Sequence, residues 1–266
     1  MAGKKSKYGK IVFLIGTVYL LLSSPSAFGL SGQSLRNLFG QGKYAGLHTA
    51  AKEFYMSENE KYVVALCNLV RFDPRGFLRD VILSADLDTN QSDIKNLMSE
   101  LKVRKSVFPL MPAFSLYKSS FIHAKDMGFS GLEGHTGSNG QKFEERVRQF
   151  FPSSAFIAEN YYQGSGEPVD IVMSFLLEKG ERGKAYRNNL LSEDIHYIGI
   201  SIQPHRSRCT NAVLDFARKP NLASTSLPKK KDPSEIYWKD CPKGTKIVTK
   251  RKSGGFSLLN LFGGRK

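Results

Sequence analysis

Three side chains in this chain could do chemistry together: His135, Glu159 and Glu178. A neutral imidazole with carboxylates can hold zinc or a similar divalent ion. An imidazole oriented by a carboxylate, or by a metal, can also act as the base in a hydrolysis. Taken singly, each residue has an ordinary role. His135 sits in a glycine-rich loop, where a histidine is usually just exposed, and Glu159-Asn160 is ordinary for a turn. Glu178 ends an apolar helical stretch, where the helix dipole mildly disfavours an acid and hints at a partner. His123 shares a helical face with Leu116 and Met127 and reads as a core histidine making one hydrogen bond. What lifts the trio is the order of the segments around it: His123-Ala-Lys-Asp-Met127, Gly134-His135, Glu159-Asn160, Arg187-Asn-Asn-Leu-Leu191, then a paired-strand signal.

Other chemistries lack their residues. The chain has no Gly-x-Ser-x-Gly elbow and no His-Glu-x-x-His helix. The glycine-rich loop at 128–140 lacks the Lys-Ser/Thr ending that cradles phosphate. Cys67 has no basic neighbour in sequence that would make it a nucleophile.

The net charge of +15 invites a nucleic-acid reading, but its location argues against one. Residues 1–29 carry four lysines and no acid, and residues 218–266 carry 13 Lys/Arg against three acids. The body between them is nearly neutral at +1. The basic tail would be drawn to anionic surfaces in general, such as a membrane or cell envelope. It lacks the interleaved aromatics of a single-strand binder, so no specific nucleic acid is expected.

The first 29 residues read as a secretory signal peptide: a basic stretch to Lys10, an apolar run Ile11–Leu22, then Ser/Pro and Ala27-Phe-Gly29. The alternative is a retained membrane anchor over residues 11–29. Either places the rest outside the cytoplasm, secreted, extracellular or periplasmic. Export permits a disulfide, and three cysteines cannot all pair. Cys67, on an apolar helix face, reads as a buried free thiol, and Cys209–Cys241 is the pairing that would tie the tail to the body.

The elements that must position the site follow from periodicity. Residues 30–56 form a mixed extension with weak helical character. Ser57–Arg71 is a helix, opened by a Ser57/Glu60 capping box and carrying Val63, Leu66, Cys67 and Val70 on one stripe. Further helical pieces span 76–84, 92–101, 112–127, 143–151 and 168–178, with Gly180 and Gly183 breaking the last. Tyr197–Gln203 and Asn211–Ala217 alternate strictly and form a hairpin around a basic loop. The class is α+β, with helices flanking a small antiparallel sheet. Residues 218–266 read as a basic linker and tail.

Over residues 57–217 the chain resembles the CAP superfamily of cysteine-rich secretory proteins, antigen 5 and plant pathogenesis-related proteins, in its bacterial form. Asn68-Leu-Val-Arg71, the 120–127 helix, Gly134-His135, Gly140, Arg146, Glu159-Asn160, Arg187-Asn-Asn-Leu-Leu191 and the strands at 198–200 and 214–216 carry the likeness. Phe175 stands where a Trp is usual. The resemblance implies an α-β-α sandwich with an open cleft whose floor holds two His and two Glu. Three of these carry over as His135, Glu159 and Glu178, with Asn160, Arg146 and Arg187 in support. Tyr186 stands where the second His belongs, and a phenol in place of an imidazole weakens a metal site. His196 or His205 would substitute only if the fold brings one round. The implied function is non-catalytic binding of a lipid, another small apolar ligand or an envelope component, and the alternative is a metal-assisted hydrolase.

Overall fold

The structure is a computed structural model that describes residues 30–85, 88–151, 155–177 and 180–218. The signal segment, Glu178, Cys241 and the tail beyond Arg218 lie outside the described residues. Eight α-helices and four short strands, with a 3-10 turn at Ala45–Leu47 and a π-helical turn at Leu78–Ile82, order the described residues. They are α1 (Gly32–Gly40), α2 (Glu58–Phe72), α3 (Pro74–Phe77), α4 (Ser92–Val103), β1 (Met111–Pro112), α5 (Phe114–Ser130), α6 (Phe143–Phe150), β2 (Ile157–Gly164), α7 (Pro168–Leu177), α8 (Gly180–Leu191), β3 (Tyr197–Pro204) and β4 (Thr210–Ala217). Among the described residues no helix is long and apolar enough to cross a membrane.

The capping box at the head of α2 is formed as expected: Ser57 accepts from the Glu60 amide while the Glu60 carboxylate accepts from the Ser57 amide. The hairpin is formed too, with β3 and β4 antiparallel from Tyr197↔Ala217 to Pro204↔Thr210. Two local expectations are corrected. Glu159-Asn160 lies in the middle of strand β2, not in a turn, and β2 pairs antiparallel with β4. The helix from Pro168 ends at Leu177, as the break at Gly180 implied, but Gly183 breaks nothing, since α8 begins at Gly180 and runs through it. The sheet order is β1-β3-β4-β2, and the two-residue β1 adds a parallel edge to three antiparallel strands.

This sheet is the middle layer of an α-β-α sandwich. Alternation along β3 would leave one face wet, yet Gly199 and Ser201 are buried along with Ile198, Ile200 and Ile202. The reason is α5, which lies across that face. A Cβ on Gly199 would fall 2.1 Å from the Tyr117 amide nitrogen, so helix and strand backbones touch only because residue 199 has no side chain. Helices α2, α7 and α8 cover the opposite face.

Arg71, at the end of α2, sets where α8 stops. It is buried without an acidic partner and donates instead to the carbonyls of Phe108, Leu190, Ser192 and Ile195 at 2.7–3.0 Å. Leu190 lies in the last turn of α8, where unpaired carbonyls and the negative end of the helix dipole favour a cation. Asn68, one turn earlier, is likewise buried and bonds both the amide and the carbonyl of Leu110. Replacing Arg71 with Lys keeps the charge but cannot serve four carbonyls in a planar fork. Leaving one or two of them unpaired is expected to lower unfolding free energy by about 2 kcal/mol or more in a urea titration. An unchanged midpoint would refute this role.

Candidate functional site

Glu159 is the centre of the site. Cross-strand from Asp215, it points to the side of the sheet covered by α5, and its side chain is only 1% exposed. A carboxylate that deep needs partners, and each of its oxygens has one. Arg146, from α6 and itself buried, donates through Nη2 to Oε2 at 2.5 Å. His135, from the loop after α5, lies with Nδ1 2.7 Å from Oε1. Because the carboxylate accepts, Nδ1 carries the proton and Nε2 of the neutral ring is an acceptor. Nε2 takes that bond from the Tyr186 hydroxyl at 2.9 Å. A Tyr186–His135–Glu159–Arg146 relay therefore runs from α8, past strand β2, to α6.

Each member is held from behind. Arg146 also donates to the His135 carbonyl at 3.3 Å, which ties the loop to α6. His123 on α5 is buried with Nε2 2.8 Å from the Gly134 carbonyl, the one hydrogen bond expected of it. Desolvation and the Arg146 charge push His123 down to about 4, so it stays neutral beside the relay. Asn160, on the opposite face of β2, donates to the Tyr186 carbonyl at 3.0 Å and accepts from Asn189 at 2.9 Å. It therefore holds α8, and with it the Tyr186 ring, against the strand. Phe175 packs edge-on against that ring with centroids 5.5 Å apart.

The expected residues thus divide. His135, Glu159 and Tyr186 meet, and Arg146 and Asn160 support them directly. Arg187 does not: it bonds Glu100 at 3.1 Å and the Leu176 carbonyl, tying α8 to α4 and α7. His205 does not enter either, since its Nε2 lies 3.0 Å from the Leu132 carbonyl and so braces the start of the His135 loop. His196 contributes no bond to the relay, and its buried Nδ1 has no partner among the described residues. Cys67 is free and buried, its thiol pushed up to about 12 by burial, which makes it inert. Cys209 is disulfide-bonded; the expected partner, Cys241, is outside the described residues.

Asp215 is the part of the site that nothing in the sequence marks. It is fully buried, its oxygens meet no hydrogen-bond partner among the described residues, and Ser119 and Glu159 are the polar groups beside it. Burial raises Glu159 to about 7 despite Arg146, and raises Asp215 well above the ordinary carboxylate range, with the Glu159 charge adding to the effect. One guanidinium cannot neutralise two acids, and only Glu159 touches it. The charge therefore belongs on Glu159 and the proton on Asp215.

As arranged, the described donors do not fit a divalent ion. His135 spends both ring nitrogens, Glu159 spends both oxygens, and one of those faces a cation that a metal would have to displace. No group of three or more His, Cys, Asp and Glu among the described residues is placed to hold a metal. His135 is nonetheless 42% exposed, so the relay meets solvent at its imidazole. One hollow of about 540 Å³ lies elsewhere, between Arg104, Val107, Phe156 and the end of α8, and its charged residues are surface groups. Another of about 240 Å³ lies beside the His135 loop, bounded by Ile122, Asp126, Ser138 and Arg146.

Residues 97–216 match the family model described as the cysteine-rich secretory protein family, CAP. Among solved structures, the chain is similar to an extracellular protein containing an SCP domain from Bacillus anthracis str. Ames, at 16% identity and a TM-score of 0.35 over 47% of this chain. This chain spans 38% of that protein's length. It is also similar to an outer surface protein of Borrelia burgdorferi, at 22% identity and a TM-score of 0.37 over 50% of this chain and 97% of the other. No curated protein sequence matches.

The protonated state assigned to Asp215 has a measurable sign. A carboxyl whose folded-state pKa is raised keeps a proton that the unfolded chain releases above about pH 4, so stability falls as pH rises, by up to ~1.4 kcal/mol per unit, until the folded pKa is reached. Asp215→Asn removes that dependence. The variant is expected to be more stable than the native chain at pH 8, with the gap closing toward pH 4, in urea titrations. A variant less stable at pH 8 would mean that Asp215 is ionised.

Proposed function

We propose that this chain, which carries a CAP domain of the cysteine-rich secretory protein family, is a non-catalytic binding module acting outside the cytoplasm. The observation that carries the reading is the saturation of the relay. Both ring nitrogens of His135 and both oxygens of Glu159 are committed to protein partners. Tyr186, the only hydroxyl in the relay, is buried and serves as a donor to His135. A general base needs a lone pair facing substrate, and a nucleophile needs an approach path. Here the lone pair of Nε2 already takes the phenol proton. Such a centre serves as a rigid, partly polar floor, suited to orienting a lipid or other small apolar ligand through one exposed imidazole edge. Export rests on the leading segment, and the basic tail would hold the protein to an anionic membrane or envelope.

A metal-assisted hydrolase is the second reading. The oriented His135–Glu159 pair favours it, because a ligand hydroxyl that displaced Tyr186 would meet an imidazole already aligned by a carboxylate.

One comparison separates the two. The native protein and His135→Ala are assayed on a panel of ester, peptide and phosphoester substrates, and in parallel for retention of fatty acid, sterol and phospholipid by native mass spectrometry. The binding reading expects equal background hydrolysis from both and altered or retained lipid capture in the variant. Turnover that is present in the native chain and lost in His135→Ala would overturn it. For the tail, deletion of residues 219–266 or salt at about 1 M, where the screening length is ~3 Å, is expected to weaken the hold on anionic vesicles. Binding left undiminished by both treatments would remove the tail from the account.

A further inference from the structure

The outer stripe of α5 has an unusual composition for a solvated helix face. At 100° per residue, Lys118, Ile122, Lys125 and Phe129 fall within about 60° of one another. They lie opposite Leu116, Ser120, Ala124 and Met127, which are buried against the sheet. Ile122 is 44% exposed and Phe129, at the end of the helix, is 87% exposed, which makes it the most exposed large apolar side chain among the described residues. Leu132, just past the helix end, is 48% exposed. Lys118 lies over the Phe114 and Phe150 rings at 5.3 and 5.0 Å, and Lys125 over Phe121 at 5.8 Å, so both ammonium groups sit on aromatic surface.

The basic hairpin tip adds to the same end. The Arg206 amide donates to the Gly128 carbonyl at 3.0 Å, and its side chain runs across Gly131, which is left-handed at φ 73°. The exposed Arg206 therefore borders the C-terminal end of α5. The acids nearby are partly engaged. Asp126 accepts from the amide and hydroxyl of Ser138, and Glu133 faces Arg208 at 3.8 Å.

We propose that this stripe is a docking face for an anionic phospholipid bilayer, with Phe129 and Leu132 entering the interfacial region and Lys118, Lys125 and Arg206 meeting lipid phosphates. Alternating cations and apolar groups on one line match the boundary between headgroups and acyl chains, where long basic side chains reach outward and aromatic rings settle. A partner protein surface would favour a contiguous apolar centre with charge at the rim, whereas here cation and hydrophobe alternate along the whole line. Docking this way would also lay the 131–142 loop, which carries His135, along the membrane. The proposal concerns the folded domain and is independent of the tail.

The test uses the full chain with Trp238→Phe and Phe129→Trp, so that a single indole reports on the stripe. It is mixed with phosphatidylcholine vesicles, with and without phosphatidylglycerol, and with the same vesicles containing brominated acyl chains. The expected result is a blue shift and bromine quenching that require phosphatidylglycerol. In the otherwise native chain, Ile122→Ser with Phe129→Ser is expected to weaken co-sedimentation with anionic vesicles about tenfold, a loss in keeping with a few buried methylenes. Sedimentation with vesicles but no quenching would show that the tail alone binds and would overturn the proposal. A blue shift that grows with protein concentration without vesicles would overturn it in favour of a second copy on this face.

Discussion

A carboxylate buried beneath a sheet must be neutralised or matched, and the Glu159–Arg146 pair meets that demand in this fold. Both side chains are almost fully buried, and neither could stay charged there alone. Matching them requires α6 to lie where Arg146 reaches β2, and the loop between α5 and α6 to close over the pair. Arg146 secures that loop a second time through the His135 carbonyl. The site is thus an ion pair around which a loop is wrapped, with the imidazole as its outer edge. Asp215 sits beside the pair at no benefit unless it holds a proton, because a second buried anion would face a single guanidinium already committed. A protonated acid next to an ionised one lets two carboxyl groups share a low-dielectric pocket.

The opposite layer has the same logic with different atoms. Arg71 is a buried cation matched by carbonyl dipoles instead of an acid, and three of its four partners lie at or just beyond the end of α8. That anchors the C-terminal end of the helix, while Asn160 anchors its middle at Tyr186. Tyr186 reaches His135 from across the sheet's free edge because both anchors hold. The relay therefore joins the two helical layers, and the close contact of α5 with the strand at Gly199 sets the spacing between its halves.

How much of this was legible in the chain depends on how local each feature is. The Ser57/Glu60 cap and the β3–β4 hairpin are short-range patterns, and both stand as read. His123 read correctly as a core histidine with one bond, because its helical face is defined by neighbours three and four residues away. Strand β2 was masked by its own polar residues, since Glu159 and Asn160 interrupt the apolar alternation that marks a strand. Helix α8 was hidden by two glycines and a polar surface; the groups that hold it, Arg71 and Asn160, are far away in sequence. Arg187 adjoins Tyr186 in sequence, but neighbours in a helix point about 100° apart, and it serves the α4–α7 seam instead. Asp215 lay unmarked in an apolar strand, because only the cross-strand register with Glu159 gives it meaning.

The phenol at position 186 decides between a metal site and a closed relay. An imidazole there would present one lone pair, and with His135 it would leave two nitrogens seeking a common acceptor of electrons, which a metal supplies. A phenol near neutral pH presents a proton instead. It satisfies His135 Nε2 directly, and in turn the imidazole can give its own proton to Glu159, leaving that carboxylate's other oxygen to Arg146. Donors converge on the carboxylate from both sides, Tyr186 through His135 on one oxygen and Arg146 on the other, so among the described residues both ring nitrogens and both carboxylate oxygens are bonded. Breaking it to admit a metal would cost the Arg146–Glu159 pair its match in a buried setting, where removing one partner costs about 3–5 kcal/mol. The same closure raises the barrier to using His135 as a base, because substrate must first displace Tyr186. A relay that is already satisfied holds the His135 loop in place against the sheet.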